Sequence, residues 1–108
     1  MADRAVAWTD AAKHDLAAIV DFIAADNPDA AIDVLDKLEA RAAPLKTQAT
    51  RGRIVPELRE AGIMEHRELI VKPWRILYLI EAEVVHVTAV LDSRRDLQAL
   101  LLERLARS

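Results

Sequence analysis

Residues 65–91, EHRELIVKPWRILYLIEAEVVHVTAVL, decide the fold of this 108-residue chain. Three runs rich in Val, Ile, Leu and aromatic residues, Glu65–Val71, Trp74–Glu81 and Val84–Leu91, are separated only by Lys72-Pro73 and Ala82-Glu83. Connections that short cannot hold a crossover, so the runs predict consecutive antiparallel hairpins. In the last run Val85, Val87, Ala89 and Leu91 alternate with Val84, His86, Thr88 and Val90. The first set is wholly apolar and is expected to face a core. The second set carries the polar groups and is expected to form the one sheet face free to meet a partner.

Upstream, the period changes. AVAW ends in Thr9 and Asp10, an N-cap and a first-turn acid, after which Leu16, Ile19, Val20 and Ile23 recur on one helical stripe. This predicts a helix over about residues 10–25. Asn27-Pro28-Asp29 restarts a second helix whose stripe is Ala31, Leu35, Leu38, Ala42 and Leu45, and the short junction requires an antiparallel hairpin. Pro44 is expected to end or kink that helix near Ala40–Ala43. KTQATRGR reads as a loop, RIVPEL as an edge strand or bulge because of its internal Pro56, and EAGIM as a turn. Beyond DSRRD, Leu97, Leu100, Leu101 and Leu105 form a last helical stripe. The order is β-α-α-β-β-β-β-α, a single α+β domain over residues 1–108 with a helical hairpin on an antiparallel sheet and a C-terminal helix.

Composition narrows the chemistry. There is no cysteine, and the three histidines lie far apart, so neither a disulfide framework nor a histidine metal motif is expected. No signal peptide or membrane span is visible at the N-terminus, and a soluble, cytoplasmic protein is expected. The formal net charge is -3, with the acidic excess in residues 1–50, which argues against nucleic-acid phosphates as the main partner.

Arg75 stands in a strand that is otherwise apolar, and a guanidinium there must point to solvent or meet an anion. Two readings stay open: an ion pair within the chain, to Glu68 or Glu57, or a fixed cation on an open sheet face. His86 and Glu57 are the candidate acid/base groups, each also readable as an ordinary surface residue. Arg94 and Arg95 flank the turn before the last helix, and Arg67 lies in the first strand of the long hairpin. No Gly-rich phosphate loop, nucleophile elbow or catalytic triad order is present.

Five stretches, WTDAAKHDLAAIVDFIAADNPDAA at 8–31, GRIVPEL at 52–58, REL at 67–69, KPWRILY at 72–78 and VVHVTAVLDSRRDL at 84–97, together resemble the RelE/ParE superfamily of bacterial toxins. The resemblance implies two helices over a strongly twisted antiparallel sheet, and neutralisation by a cognate antitoxin encoded nearby, in a toxin–antitoxin hetero-oligomer. It also implies one of two activities. RelE-like members are ribosome-dependent ribonucleases that cut mRNA; ParE-like members poison DNA gyrase.

On the ribonuclease side, Arg75 matches a phosphate-holding arginine, Arg94 a second basic position and Glu57 a catalytic base, with His86 as a further acid/base candidate. The chain departs from that side after Leu91, where no tyrosine or histidine remains to act as the leaving-group acid, and where Asp92 replaces a frequent histidine. The departures favour the ParE-like branch, in which Arg67, Arg75, Arg94 and Arg95 are partner-binding groups and neither cofactor nor metal is needed.

Overall fold

The computed structural model describes residues 3–106; residues 1, 2, 107 and 108 of the expected domain lie outside the described residues. Strand β1 (Ala5–Trp8) is followed by α1 (Asp10–Ala24), α2 (Pro28–Ala42), a 3-10 turn (Ala43–Lys46), β2 (Arg53–Ile54), α3 (Pro56–Glu60), β3 (His66–Val71), β4 (Trp74–Glu81), β5 (Val84–Asp92) and α4 (Leu97–Ala106). Among the described residues no helix is long and apolar enough to cross a membrane.

Side-chain chemistry sets the helix starts. Thr9 Oγ1 accepts the Ala12 N–H at 3.1 Å, and Asn27 Oδ1 accepts the Ala30 N–H at 3.1 Å. Each cap satisfies a donor that the first turn leaves open. Pro28 occupies the start of α2, and Pro44 falls in the 3-10 turn that succeeds it, as a residue without an N–H dictates. Pro56 acts the same way. The expected edge strand RIVPEL contracts to Arg53–Ile54, because Pro56 opens α3 and carries Leu58 into a core at 1 % exposure.

The sheet runs in the order β1-β5-β4-β3-β2. From β5 to β2 every pairing is antiparallel, with Val71 opposite Trp74 and Glu81 opposite Val84 at the two tight turns. The sheet is nevertheless mixed rather than antiparallel throughout, since β1 pairs in parallel with β5, Ala5 opposite Val84 and Trp8 opposite Val87. The long passage between them, which includes the helical hairpin, provides the crossover that a parallel pair requires.

A bulge in β5 governs what each face carries. Leu77 pairs with Ala89 but Tyr78 pairs with Val87, so Thr88 is an extra residue, its Oγ1 donating to the Leu77 carbonyl at 3.4 Å. One inserted residue reverses the alternation beyond it. Val85 and Val87 before the bulge, and Val90 after it, join Leu38, Leu45, Ile76 and Tyr78 in the core beneath the helical hairpin. Ala89 and Leu91 turn to the other face, where Val55 and Leu58 at α3 and Leu97 and Leu101 of α4 meet Leu77 in a second core. The expectation that Ala89 and Leu91 lie against the hairpin, and that the opposite face stands open, is therefore overturned.

The bulge also leaves polar backbone to be satisfied. Asp15 Oδ2, from α1, accepts the Val90 N–H at 3.0 Å and an Arg104 Nη2 hydrogen at 2.7 Å, and Arg104 Nη2 also donates to the Thr88 carbonyl at 3.2 Å. One carboxylate thus joins the first helix, the bulge and the last helix.

Tyr78 performs a similar duty for the loop before β2. Fully buried, its hydroxyl donates to the Ala49 carbonyl at 2.7 Å and accepts the Gly52 N–H at 2.8 Å, and burial pushes its phenol pKa up. Gly52 has no room for a side chain, since a Cβ there would lie 2.5 Å from the Glu68 carbonyl oxygen and 2.6 Å from Tyr78 Oη. In urea denaturation, Tyr78→Phe is expected to lower the unfolding free energy by about 2 kcal/mol, because two buried backbone groups lose their partner. Gly52→Ala is expected to cost more, since the backbone itself must shift.

Candidate partner-binding surface

On the face turned away from the helical hairpin, β3 presents His66, Glu68 and Ile70, and β4 presents Arg75, Leu77 and Leu79. Glu68 is directly opposite Leu77 and Arg75 directly opposite Ile70, so Glu68 and Arg75 are diagonal neighbours. The Nε of Arg75 donates to Glu68 Oε1, and its Nη1 and Nη2 donate to Glu57 Oε2 and Oε1, both at 2.7 Å. Arg53, opposite Glu68 on β2, donates its Nε to Glu68 Oε2 at 2.7 Å. Two cations and two anions form one chain of charge across β2, α3, β3 and β4.

Arg75 is 5 % exposed and Glu68 is 1 % exposed. The sequence left two readings of Arg75 open; the structure realises the intramolecular pair, with both candidate carboxylates engaged. The alternative, a guanidinium displayed to a visitor, is corrected. A guanidinium held in an apolar sheet needs compensating anions, and Glu57 and Glu68 provide them. Hydrogen bonds from Arg75 hold the Glu57 carboxyl below the usual carboxylate range, and those from Glu57 and Glu68 raise the arginine's own pKa. A carboxylate so stabilised is a weaker proton acceptor than an ordinary glutamate.

The remaining sequence candidates are dispersed. His86 lies on β5 opposite Leu79, with its Nε2 3.2 Å from Glu81 Oε1. Leu79 lies four positions along β4 from Arg75, which places His86 about 13 Å along the sheet from the Arg75–Glu57 pair at the usual strand rise. Arg67 faces the hairpin side beside Tyr78, where its Nη1 donates to the Gly52 carbonyl at 2.7 Å and the Thr50 carbonyl at 3.4 Å. It clamps the chain's own loop.

Arg94 follows the end of β5, with Nε and Nη2 on the two Asp92 carboxylate oxygens at 2.9 and 2.6 Å. That grip holds the Asp92 pKa down to about 2. Arg95 is exposed beside it. Glu57 and Arg75 are thus the candidates brought into one cluster, and Arg53 is a member that the sequence reading missed. An arginine opposite Glu68 becomes visible only once the strand register is known.

Beyond the ion cluster the same face holds a largely apolar recess of about 250 Å³ under α4, lined by Leu58, His66, Leu77, Leu79, Ala89 and Leu101 among others. Burial pushes the His66 pKa down. Among the described residues no three His, Cys, Asp or Glu side chains gather where they could hold a metal ion.

Residues 6–97 match the family model described as "ParE toxin of type II toxin-antitoxin system, parDE". Among solved structures, a chain from the "Chromosomal ParDE TA system from P. aeruginosa" has the same fold, with a TM-score of 0.68 at 20% identity over 82% of this chain and 95% of that one. No curated protein matches the sequence.

The Arg75–Glu57 and Arg94–Asp92 pairs make stability pH-dependent in a defined direction. Because folding lowers the Glu57 and Asp92 pKa values from 4.5 and 3.8, their contribution is complete above about pH 5 and is lost as pH falls through the folded-state values. Glu57→Gln is expected to flatten the acid limb of a stability-versus-pH curve. Glu68→Ala, which leaves the buried Nε of Arg75 without an acceptor while Glu57 still holds its Nη1 and Nη2, is expected to cost about 3 kcal/mol at pH 7 in denaturant melts.

Proposed function

The chain belongs to the ParE toxin family of type II toxin–antitoxin systems, and from that premise we propose that it inhibits growth by binding DNA gyrase, without cutting RNA. Membership implies an antitoxin partner. In this reading the cognate antitoxin is encoded by a neighbouring gene and neutralises the toxin in a hetero-oligomer, and the site of action is the cytoplasm.

The observation that carries the reading is the closure of Arg75 by Glu57 and Glu68. Cleavage of RNA through the 2′-hydroxyl requires a base, an acid for the leaving oxygen and a cation for the developing charge on phosphorus. Each acid or base contributes about 10²- to 10⁴-fold, and electrostatic stabilisation a comparable factor. Here the cation is neutralised by the same glutamate that would serve as base. The remaining imidazole candidate, His86, stands too far along the sheet for one phosphodiester to meet both. Residues 92–108 offer no tyrosine or histidine. Acidic side chains across the helical hairpin would weaken approach to ribosomal RNA.

Binding of a protein needs none of these groups. It needs exposed apolar anchors with charged rims, and Phe22, Ile32 and Met64 are each at least half exposed. The expected result is inhibition of supercoiling by purified gyrase, relieved by an equimolar amount of the antitoxin, with mRNA on programmed ribosomes left intact. Cleavage in the ribosomal A site by the wild-type protein, with gyrase unaffected, would establish the RelE-like alternative instead.

A further inference from the structure

The second core does not close completely. Between α3, α4 and the sheet face turned from the hairpin lies the recess of about 250 Å³, walled by Leu58, Leu77, Leu79, Ala89, Leu101 and Leu105. Leu58, Leu77, Ala89 and Leu101 are each no more than 2% exposed, so most of this wall is packed core rather than loose surface side chains. An apolar cavity on the order of 150 Å³ accepts a single benzene ring. The larger recess has room for two fused rings. Sites for small molecules are of this kind, concave and mostly apolar with a few polar groups that fix orientation.

The polar groups on the wall say what an occupant carries. Arg104 lines the recess, but its charge is met by Asp15 at 2.7 Å. Thr88 directs its hydroxyl hydrogen to the Leu77 carbonyl at 3.4 Å, so its oxygen is left as an acceptor. His66 differs from both. Its half-buried imidazole makes no hydrogen bond among the described residues, and burial favours its neutral form. A neutral imidazole has one unprotonated nitrogen able to accept. The lining residues thus present no unmatched charge, and a carboxylate or an ammonium entering here would give up its hydration without gaining a counter-charge. An uncharged molecule with a donor finds acceptors waiting.

We infer that this recess binds a small uncharged aromatic molecule of two fused rings bearing one N–H or O–H, with the rings against the leucine wall and the donor on His66. The inference goes beyond the toxin–antitoxin reading and does not depend on it. Leu101 and Leu105 belong to α4, Leu58 to α3, and Leu77 and Leu79 to β4, so an occupant ties the last helix to the rest of the second core and favours its docked position.

The test titrates the isotope-labelled full chain with indole, which has both rings and a single N–H, and with benzofuran, the same shape with an oxygen in place of the N–H, and follows the backbone amide resonances. Indole is expected to saturate, with shifts concentrated at Leu58, His66, Leu79 and Leu101, and to raise the thermal midpoint. Its affinity is expected to exceed that of benzofuran about fivefold, the ratio that one net hydrogen bond supplies. His66→Leu is expected to bring indole down to the benzofuran affinity while leaving benzofuran unchanged. Leu79→Trp, which fills the recess, is expected to abolish both, and Ala11→Trp at the exposed rim replaces it should that variant not fold. Equal affinity for the two probes, or indole binding unchanged in His66→Leu, would overturn the ligand class. Absence of saturable binding, or shifts gathered at another surface, would overturn the site. Shifts at these same residues on adding the antitoxin, with neither small molecule binding, would give the recess to a macromolecule and overturn the proposed occupant.

Discussion

A guanidinium cannot be buried in an apolar sheet without anions to meet it, and that constraint organises this protein. Placing Arg75 in β4 requires a carboxylate on the adjacent strand and another from above, so Glu68 must lie on β3 and α3 must bring Glu57 across the face. Glu68 in turn holds Arg53, which fastens the two-residue β2 to the sheet edge. The local cost of desolvating Arg75 and Glu68 is offset by mutual attraction and by hydrogen bonds of good geometry. What results is a neutral cluster at the place where a phosphate-handling protein would keep an unpaired cation.

The consequence for function is a division of labour between the two layers. The sheet interior spends its charged groups on itself, while the helical hairpin and the end of β5 leave aromatic and cationic side chains facing solvent. The match to the ParE family covers both layers, from β1 to the start of α4.

Much of the architecture was legible because it is written in local chemistry. Thr9 and Asn27 are caps whatever else the chain does, Pro44 ends a helix wherever it falls, and two-residue connections leave antiparallel pairing as the available geometry. The features that escaped are those that a local signal leaves degenerate. Pro56 breaks a strand or begins a helix by the same missing N–H, and only the burial of Leu58 decides between them. The parallel docking of β1 depends on a partner about eighty residues away in the chain. Thr88 looks like any strand residue until the register shows it to be supernumerary, and from that point every inference about facing is inverted. Arg75 illustrates the limit for sites: its two carboxylate partners were identifiable by residue type, but the choice between pairing and display belongs to three-dimensional burial.

The carboxylate of Asp15 carries an implication for the order in which the fold closes. It bonds a residue 89 positions further along the chain, Arg104, and the same oxygen receives the Val90 amide. Contacts this remote are closed late, since the chain between them must first be released and ordered. The tie between α1 and α4 is therefore among the last contacts of the fold to close.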